Sequence, residues 1–514
     1  MTQNEEIGTV ISTIGAPSPS NLNFVVNSDK PVHRGMFVEM DYSEGTMIAL
    51  VSNVVKTNRY FERADSVKEF ETNGLKLTDQ LPAGEWEFLV AETKPLGVFT
   101  STLMKRPTYP VSPGTKVKIA SKENLKKFLQ FDEEKGIHLG ELEYHDLSVK
   151  LNLTKLLQKH LAILALSGAG KSYLVSVLLE ELLSRKKEHG RISCVVLDVH
   201  GEYTNFAMPV KDSKYKDYSH ATRLLKARDI KIGVSALSSS LLASMMPSIS
   251  SAQRRDLAKV MTKLKEEMRN GVGPFGLNEI RQQILVDKDI KENTKIALLG
   301  SIAGLDELNL FAKVDSFSLP DLVRPGIMTV IDLSDIIDLK SKQLIVKYFA
   351  SRLFNERRQK LLPPFLLILE EAHQFIPEQS SREYALAKGI METIAREGRK
   401  FGCSLCLISQ RPIQLSTTVL SQCNTHIILR ITNPYDLKHI SESSEALDKR
   451  SEEMLTTLRV GEALIVGEAV SFPVFFKVRK RNSIESSHEI SLEQAAIKFE
   501  EGKEEKEKET KNFL

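Results

Sequence analysis

The sequence predicts an α/β protein, with a parallel sheet preceded by a small all-β domain and interrupted by a helical segment. Short apolar or alternating runs fill the first 120 residues. Continuous apolar runs, separated by a helical pattern, begin at His160. Between 212 and 312 the periodicity becomes that of amphipathic helices. Alternation marks strands exposed on one face, whereas unbroken apolar runs mark strands buried on both.

In the N-terminal region the strand candidates are Thr9–Ser12, Asn23–Val26, Met36–Met40, Met47–Ser52 and Thr115–Ile119, with a turn at Asp41–Gly45. Strands this short and closely spaced suggest a barrel or sandwich. We therefore place a β-barrel domain at 1–120 and a polar, charged connector at 121–149. His160–Leu166, a helix from Ser172 to Lys187, and Cys194–Asp198 form a βαβ unit. Three helical candidates, Gln253–Met268, Asn278–Leu285 and Thr294–Leu305, define an insertion at 212–312. Further core strands follow at Gly326–Leu333, Phe365–Leu369, Ser404–Ser409 and His426–Arg430. The core thus spans 150–211 and 313–482, and 483–514 form a charged, helix-like tail.

With 514 residues, the chain is long enough for several domains. Its 70 basic and 67 acidic residues leave a net charge of +3, so bulk charge does not announce a nucleic-acid binder. A pore can still be basic while the exterior is acidic. Neither a bilayer-spanning apolar run nor a signal peptide is visible, and a cytoplasmic protein is expected. Cys403 and Cys406 form a CxxC, but on a strand residues three apart point to opposite faces and cannot share one metal. The basic run Lys477–Arg481 is expected to be a solvated edge.

Ser167-Gly-Ala-Gly-Lys-Ser172 follows an apolar strand and opens a helix, the context of a phosphate-binding P-loop. Gly168 and Gly170 let consecutive N–H groups converge on phosphate oxygens, and the helix start adds its positive end. Lys171 is expected on the β- and γ-phosphates and Ser172 on Mg²⁺. Ser167, Ala169 and Tyr173 complete the expected nucleotide contacts. The full P-loop pattern has glycine at position 165, where this chain has Ala165.

Phe365–Leu369 ends in Glu370 and Glu371. Two adjacent carboxylates at a strand end suit two tasks: Glu370 on Mg²⁺ and Glu371 on the attacking water. Asp198 ends the strand after the P-loop helix and is followed by His200-Gly-Glu-Tyr203. Asp198, a further metal-ligand candidate, or Glu202 could support the metal or the water, and a structural role in the turn fits Asp198 equally. Gln410, at the end of another strand, can sense the γ-phosphate, with a simple turn role as the alternative. Arg396 and Arg399 share a helix face, where either an intersubunit arginine finger or a surface salt bridge fits their spacing.

Together these motifs resemble the HerA/FtsK group of ring ATPases, and HerA most closely. The resemblance rests on His160-Leu-Ala-Ile-Leu-Ala165, the P-loop, Asp198-Val-His-Gly-Glu-Tyr203, Glu370-Glu-Ala-His373, Ala395-Arg-Glu-Gly-Arg-Lys-Phe-Gly402 and Ser409-Gln-Arg-Pro412. It implies a RecA-like core, a homo-hexameric ring with ATP between subunits, DNA in a central pore, and a tail that braces a neighbour. It also implies a NurA-type nuclease partner in DNA-end processing, and Arg396 as the finger acting in trans, with Arg399 second. HerA proteins usually read Thr-Gly-Ser-Gly-Lys-Ser in the P-loop. Lys159 stands where relatives carry an arginine near the nucleotide. The competing expectations are a P-loop ATPase of a secretion, conjugation or protein-remodelling complex, and a nucleotide-controlled structural ring. Intact Glu371 argues against the structural ring.

Overall fold

The computed structural model describes residues 5–12, 16–27, 30–58, 87–100, 104–379, 384–444 and 449–485, with 61, 68, 72, 447 and scattered positions between 493 and 501. The chain divides into two compact units. One comprises Met1–Asn152, Ala446–Leu458 and Glu462–Arg479; the other comprises Leu153–Glu445, Arg459–Gly461 and Lys480–Leu514.

In the first unit, β1 (Glu6–Ile11), β2 (Leu22–Val26), β3 (Phe37–Tyr42), β4 (Gly45–Asn58), β5 (Glu87–Phe99), β6 (Met104–Lys105) and β7 (Lys116–Ile119) form one antiparallel sheet. Its order is β2-β1-β7-β3-β4-β5-β6, and a further β2–β5 pairing closes six strands into a barrel. Alternate side chains, among them Ile7, Phe24, Met40, Val51 and Val117, fill the interior. β5 escaped the sequence reading because it contains Lys94-Pro95. Pro95 lies opposite Ala49, where the β4–β5 register shifts, so its missing N–H falls at an irregularity.

The expected connector at 121–149 is instead folded. Helix α1 (Lys122–Leu129) is capped by Ser121, whose side chain accepts from Asn124 N, and it buries Leu125, Phe128 and Leu129. β8 (Ile137–Leu142) and β9 (Ser148–Leu151) then pair antiparallel. Surface charge on α1 hid a narrow apolar stripe, which is all that a one-sided helix needs.

The second unit begins with β10 (Leu161–Leu164), helix α2 (Lys171–Leu183), β11 (Ser193–Asp198) and β12 (Thr222–Lys226). A short parallel pair, β13 (Ile232–Gly233) and β14 (Phe311–Ala312), brackets the inserted helices α3 (Ser251–Glu267), α4 (Leu277–Val286) and α5 (Glu292–Asp306). A capping box of Ser250 and Gln253 starts α3. β15 (Met328–Asp332), α6 (Leu339–Arg358), β16 (Phe365–Leu369), α7 (Lys388–Phe401), β17 (Cys403–Ser409) and β18 (Thr425–Ile428) complete the core. The strand order is β12-β15-β11-β16-β17-β10-β18, and the pairings are parallel.

Every residue of β10, β11 and β15 to β18 is buried, as their unbroken apolar runs predict. β12 corrects the expected insertion boundary at 212. It is a half-exposed edge strand of this sheet, so its sequence, Thr-Arg-Leu-Leu-Lys, lacks the core signature. The two strands β19 (Glu462–Gly467) and β20 (Val474–Val478) were also missed. They group with the first unit, where β20 pairs with β8, so the expected core limit of 482 includes residues of another unit. The expected tail helix lies largely outside the described residues.

Candidate nucleotide site

A parallel sheet collects the carboxyl ends of its strands along one edge, where ligands of α/β proteins bind. Here the neighbours β11, β16, β17 and β10 end at Asp198, Glu370-Glu371, Gln410 and the P-loop, respectively. Lys171 and Glu371, 200 positions apart in sequence, are thereby placed side by side.

The P-loop leaves β10 with Ala165 N donating to Ser409 O at 3.2 Å and Leu166 N donating to Arg430 O at 3.1 Å. Gly168 and Gly170 adopt φ of +74° and +95°, a left-handed backbone that glycine accepts without strain. Ala165 has no positive φ, so its methyl group is compatible with the turn, and glycine is not required there. α2 starts at Lys171, with Gly170 as its N-terminal cap. Ser167 and Gly168 are exposed, Ser172 and Tyr173 are partly exposed, and Ala169 is buried.

Lys171 is almost fully buried. Its Nζ donates to Glu371 Oε1 at 2.9 Å and lies 3.9 Å from Glu370 Oε1. Gln410 Nε2 donates to the same Glu371 oxygen at 2.8 Å. The other Glu371 oxygen lies 3.3 Å from His373 Nδ1, which in turn is 3.1 Å from Ser409 Oγ. Burial lowers the pKa of His373. Glu371 itself has φ +46°, a strained conformation for a side-chain-bearing residue. Strain of this kind persists where surrounding contacts over-determine the position, and here three side chains grip the carboxylate. The motif Glu370-Glu-Ala-His373 by itself does not reveal this place of His373 beside the carboxylate. Its signal was its place two residues after Glu371. A cleft of about 680 Å³ opens beside these groups, lined by Glu371, His373, Gln410, Arg411 and Gln414 among others.

Glu370 is fully buried. Its Oε2 accepts from Val199 N at 2.8 Å and His200 N at 3.2 Å, while Oε1 has no hydrogen-bond donor. Burial pushes its carboxyl well above the ordinary range, and the neighbouring Asp198 and Glu202 carboxylates add to the shift. A cation would offset this crowding of negative charge. The orphaned oxygen therefore fits Mg²⁺, which needs only one or two protein ligands beside phosphate and water. For Asp198, which could serve the metal or the turn, the hydrogen bonds support the turn role. Its oxygens accept from Gly201 N at 2.8 Å, Glu202 N at 3.1 Å and Tyr203 N at 2.9 Å, and so shape the turn after β11. Among the described residues, no cluster of three or more His, Cys, Asp or Glu could hold a metal on its own. Cys403 and Cys406 are free and buried in β17.

Arg396 and Arg399 are exposed on α7, while Met391, Ile394, Ala395 and Gly398 face inward. The position of α7 is fixed by His160, just before β10. His160 Nδ1 accepts from Leu405 N at 2.9 Å, so its Nε2 carries the proton and donates to Ala395 O at 2.9 Å. Burial lowers the His160 pKa to about 4 and keeps the ring neutral. The arginines are therefore held at the amino edge of the sheet, separated from the chain's own P-loop by the length of β10, about 13 Å at roughly 3.3 Å per residue. Lys159 lies at the same amino edge, where its carbonyl accepts from Asn424 N at 2.9 Å. The expectation that Lys159 lies near the nucleotide is therefore corrected for the chain's own site, because it and the P-loop lie at opposite ends of one strand.

A parallel sheet with a P-loop at one strand end and paired carboxylates two strands away defines a P-loop ATPase. Residues 137–353 match the family described as "Helicase HerA, central domain". A probable helicase of Methanocaldococcus jannaschii is 28% identical, covering 96% of this chain and 94% of the relative. The DNA double-strand break repair helicase HerA of Saccharolobus solfataricus is 29% identical, covering 88% of this chain and 89% of that protein. In fold, VirB4 of Thermoanaerobacter pseudethanolicus is similar, with a TM-score of 0.53 and 16% identity over 68% of this chain and 98% of that structure. The likeness to HerA proteins thus extends over most of the chain at just under 30% identity.

Proposed function

We propose that this ATPase is a DNA translocase or helicase that works as a homo-hexameric ring with DNA in its central pore. The observation that carries the ring is the placement of Arg396 and Arg399. They are solvent-exposed and held away from the chain's own phosphate loop, as a finger offered to the next subunit must be. Lys159, at the same edge, is proposed to face that neighbouring nucleotide too. Support for DNA as the substrate comes from relatives named as DNA double-strand break repair helicases. The same names support a role in DNA double-strand break repair; a NurA-type nuclease as partner in DNA-end processing rests on the motif resemblance alone. Residues 483–514 are proposed to brace a neighbouring subunit.

In the proposed cycle, the P-loop amides and Lys171 take the β- and γ-phosphates of ATP. Ser172 and Glu370 are the residues that would hold Mg²⁺, whose charge offsets that of the phosphates. Lys171 is paired with Glu371 before nucleotide arrives. An incoming γ-phosphate competes for that lysine and leaves Glu371 free to take a proton from water. Gln410 and His373 keep the carboxylate oriented, and Gln410 also senses the γ-phosphate. Arg396 of the adjacent subunit stabilises charge on the transferring phosphoryl group.

Two measurements test this reading. The native mass, with and without duplex DNA, should be that of a hexamer. ATP hydrolysis should rise with DNA, and DNA binding should weaken steeply as salt increases, because phosphate contacts release counterions. A monomeric particle, or an ATPase indifferent to DNA, contradicts the proposal.

A further inference from the structure

Residues 480–485 follow β20 in sequence and lie along α2, tied to it at two points. Asn482 N, Ser483 N and Ser483 Oγ all donate to Glu180 Oε1, each at 2.7 Å. Glu180 is fully buried on α2, and nothing in the hydrolytic machinery uses it. Tyr173 lies seven residues earlier, two helical turns away and so on the same face. Its hydroxyl accepts from Arg481 N at 2.8 Å. The Arg481 guanidinium lies 5.8 Å from the centre of the Tyr173 ring, within cation–π range. Arg481 Nε donates to Ser483 O at 3.1 Å, and Nη2 donates to Ile484 O at 2.7 Å. The guanidinium plane is thereby fixed, and its Nε and Nη2 donors are already committed. This places Arg481 in a clasp, where its basic run alone suggested a solvated edge.

We propose that Glu180, Arg481 and Tyr173 form a clasp whose ring and guanidinium surface receives the base and ribose of the nucleotide. The inference rests on the ATPase reading above. If the phosphates occupy Gly168 to Ser172, the nucleoside leaves the cradle along the first turn of α2, where Tyr173 directly follows Ser172. Both Tyr173 and Arg481 are partly exposed and reachable by a ligand. A π surface stacks on any purine, so the clasp adds affinity for the nucleoside with little discrimination between adenine and guanine. Glu180 acts as a positioning residue, because it holds the Arg481 segment rather than the ligand.

The test compares ATP with inorganic tripolyphosphate, which has the phosphates but neither base nor ribose, on the full-length protein by equilibrium binding. Arg481→Ala should weaken ATP about tenfold, a loss of about 1.4 kcal/mol, and leave tripolyphosphate unchanged. GTP should lose as much as ATP. Glu180→Gln should weaken ATP in the same selective way, with thermal unfolding confirming that it is folded. Unchanged ATP affinity in Arg481→Ala overturns the inference. So does an equal loss of both ligands rescued by Arg481→Lys, which assigns Arg481 to phosphate charge. Lys171→Ala should lose both ligands. Wild-type protein that binds neither overturns the ATPase reading itself, whereas equal affinity for both in the wild type overturns only the clasp.

Discussion

Lys171 and Glu371 form a buried ion pair at 2.9 Å, and the proposed cycle gives each a separate task once nucleotide binds. Lys171→Ala leaves Glu371 buried without its cation and the phosphates without their charge. ATP binding should be lost, which isothermal titration or a fluorescent nucleotide would detect; wild-type affinity in the variant is incompatible with the P-loop assignment. Glu371→Gln keeps the volume but cannot accept a proton. It should retain ATP while hydrolysis slows by about 10²- to 10⁴-fold in single-turnover assays. Glu370→Gln should instead raise the Mg²⁺ concentration needed for half-maximal hydrolysis. An unchanged Mg²⁺ requirement would mean that the two carboxylates do not divide the work in this way. These residues were legible because their chemistry is local: GxGKS at a strand–helix junction and two glutamates at a strand end. The place of His373 beside Glu371 and the choice between turn and metal for Asp198 were not legible, since both depend on which backbone amides and side chains the fold brings alongside.

At the scale of elements, α7 is held against β17 by close backbone approach. A methyl group at Gly398 would lie 2.5 Å from Cys403 O, closer than packed atoms allow. Gly398→Ala should therefore destabilise the protein by about 1–3 kcal/mol, outweighing the roughly 1 kcal/mol that alanine gains in a helix. Calorimetry would read this as a lower Tm, and a raised Tm would exclude the clash. The same helix is anchored through His160, whose pKa is lowered to about 4 by burial, and His426 in β18 is likewise lowered to about 4. An unfolded histidine titrates near 6.5. The unfolded state thus binds protons that the folded state refuses. Stability from the neutral rings is complete above about pH 6.5 and falls towards pH 4, by about 1.4 kcal/mol per pH unit for each histidine. Denaturant midpoints should fall across that window, and His160→Gln should flatten the slope. An unaltered slope would mean that His160 titrates normally.

At the scale of the whole molecule, the trans finger predicts complementation between inactive subunits. Lys171→Ala subunits keep the finger but lose the pocket; Arg396→Ala subunits keep the pocket but lose the finger. Mixed rings should recover part of the ATPase, because some intact pockets then face intact fingers. Subunit exchange is verified first, by native mass or fluorescence transfer. If mixed rings form and activity stays at the level of the separate variants, Arg396 is not the finger, and Arg399 is tested in the same way. An arginine acting within its own chain gives no complementation at all.

The sequence by itself determined the parallel core, the inserted helices, most barrel strands and which side chains are candidates for the nucleotide site. These are encoded in periodicity and in motifs spanning a few residues, so they need no long-range information. Only the tertiary structure decided that 121–149 fold rather than link, that Thr222–Lys226 is an edge strand, and that β19 and β20 group with the first unit. Edge strands and one-sided helices bury too little apolar surface to stand out along the chain. Tertiary structure also set Arg396 at the far edge from its own P-loop and laid Arg481 on Tyr173. The physical reason is common to all of these. Sequence specifies which groups are present and their local conformation, whereas strand order and packing specify which distant groups meet.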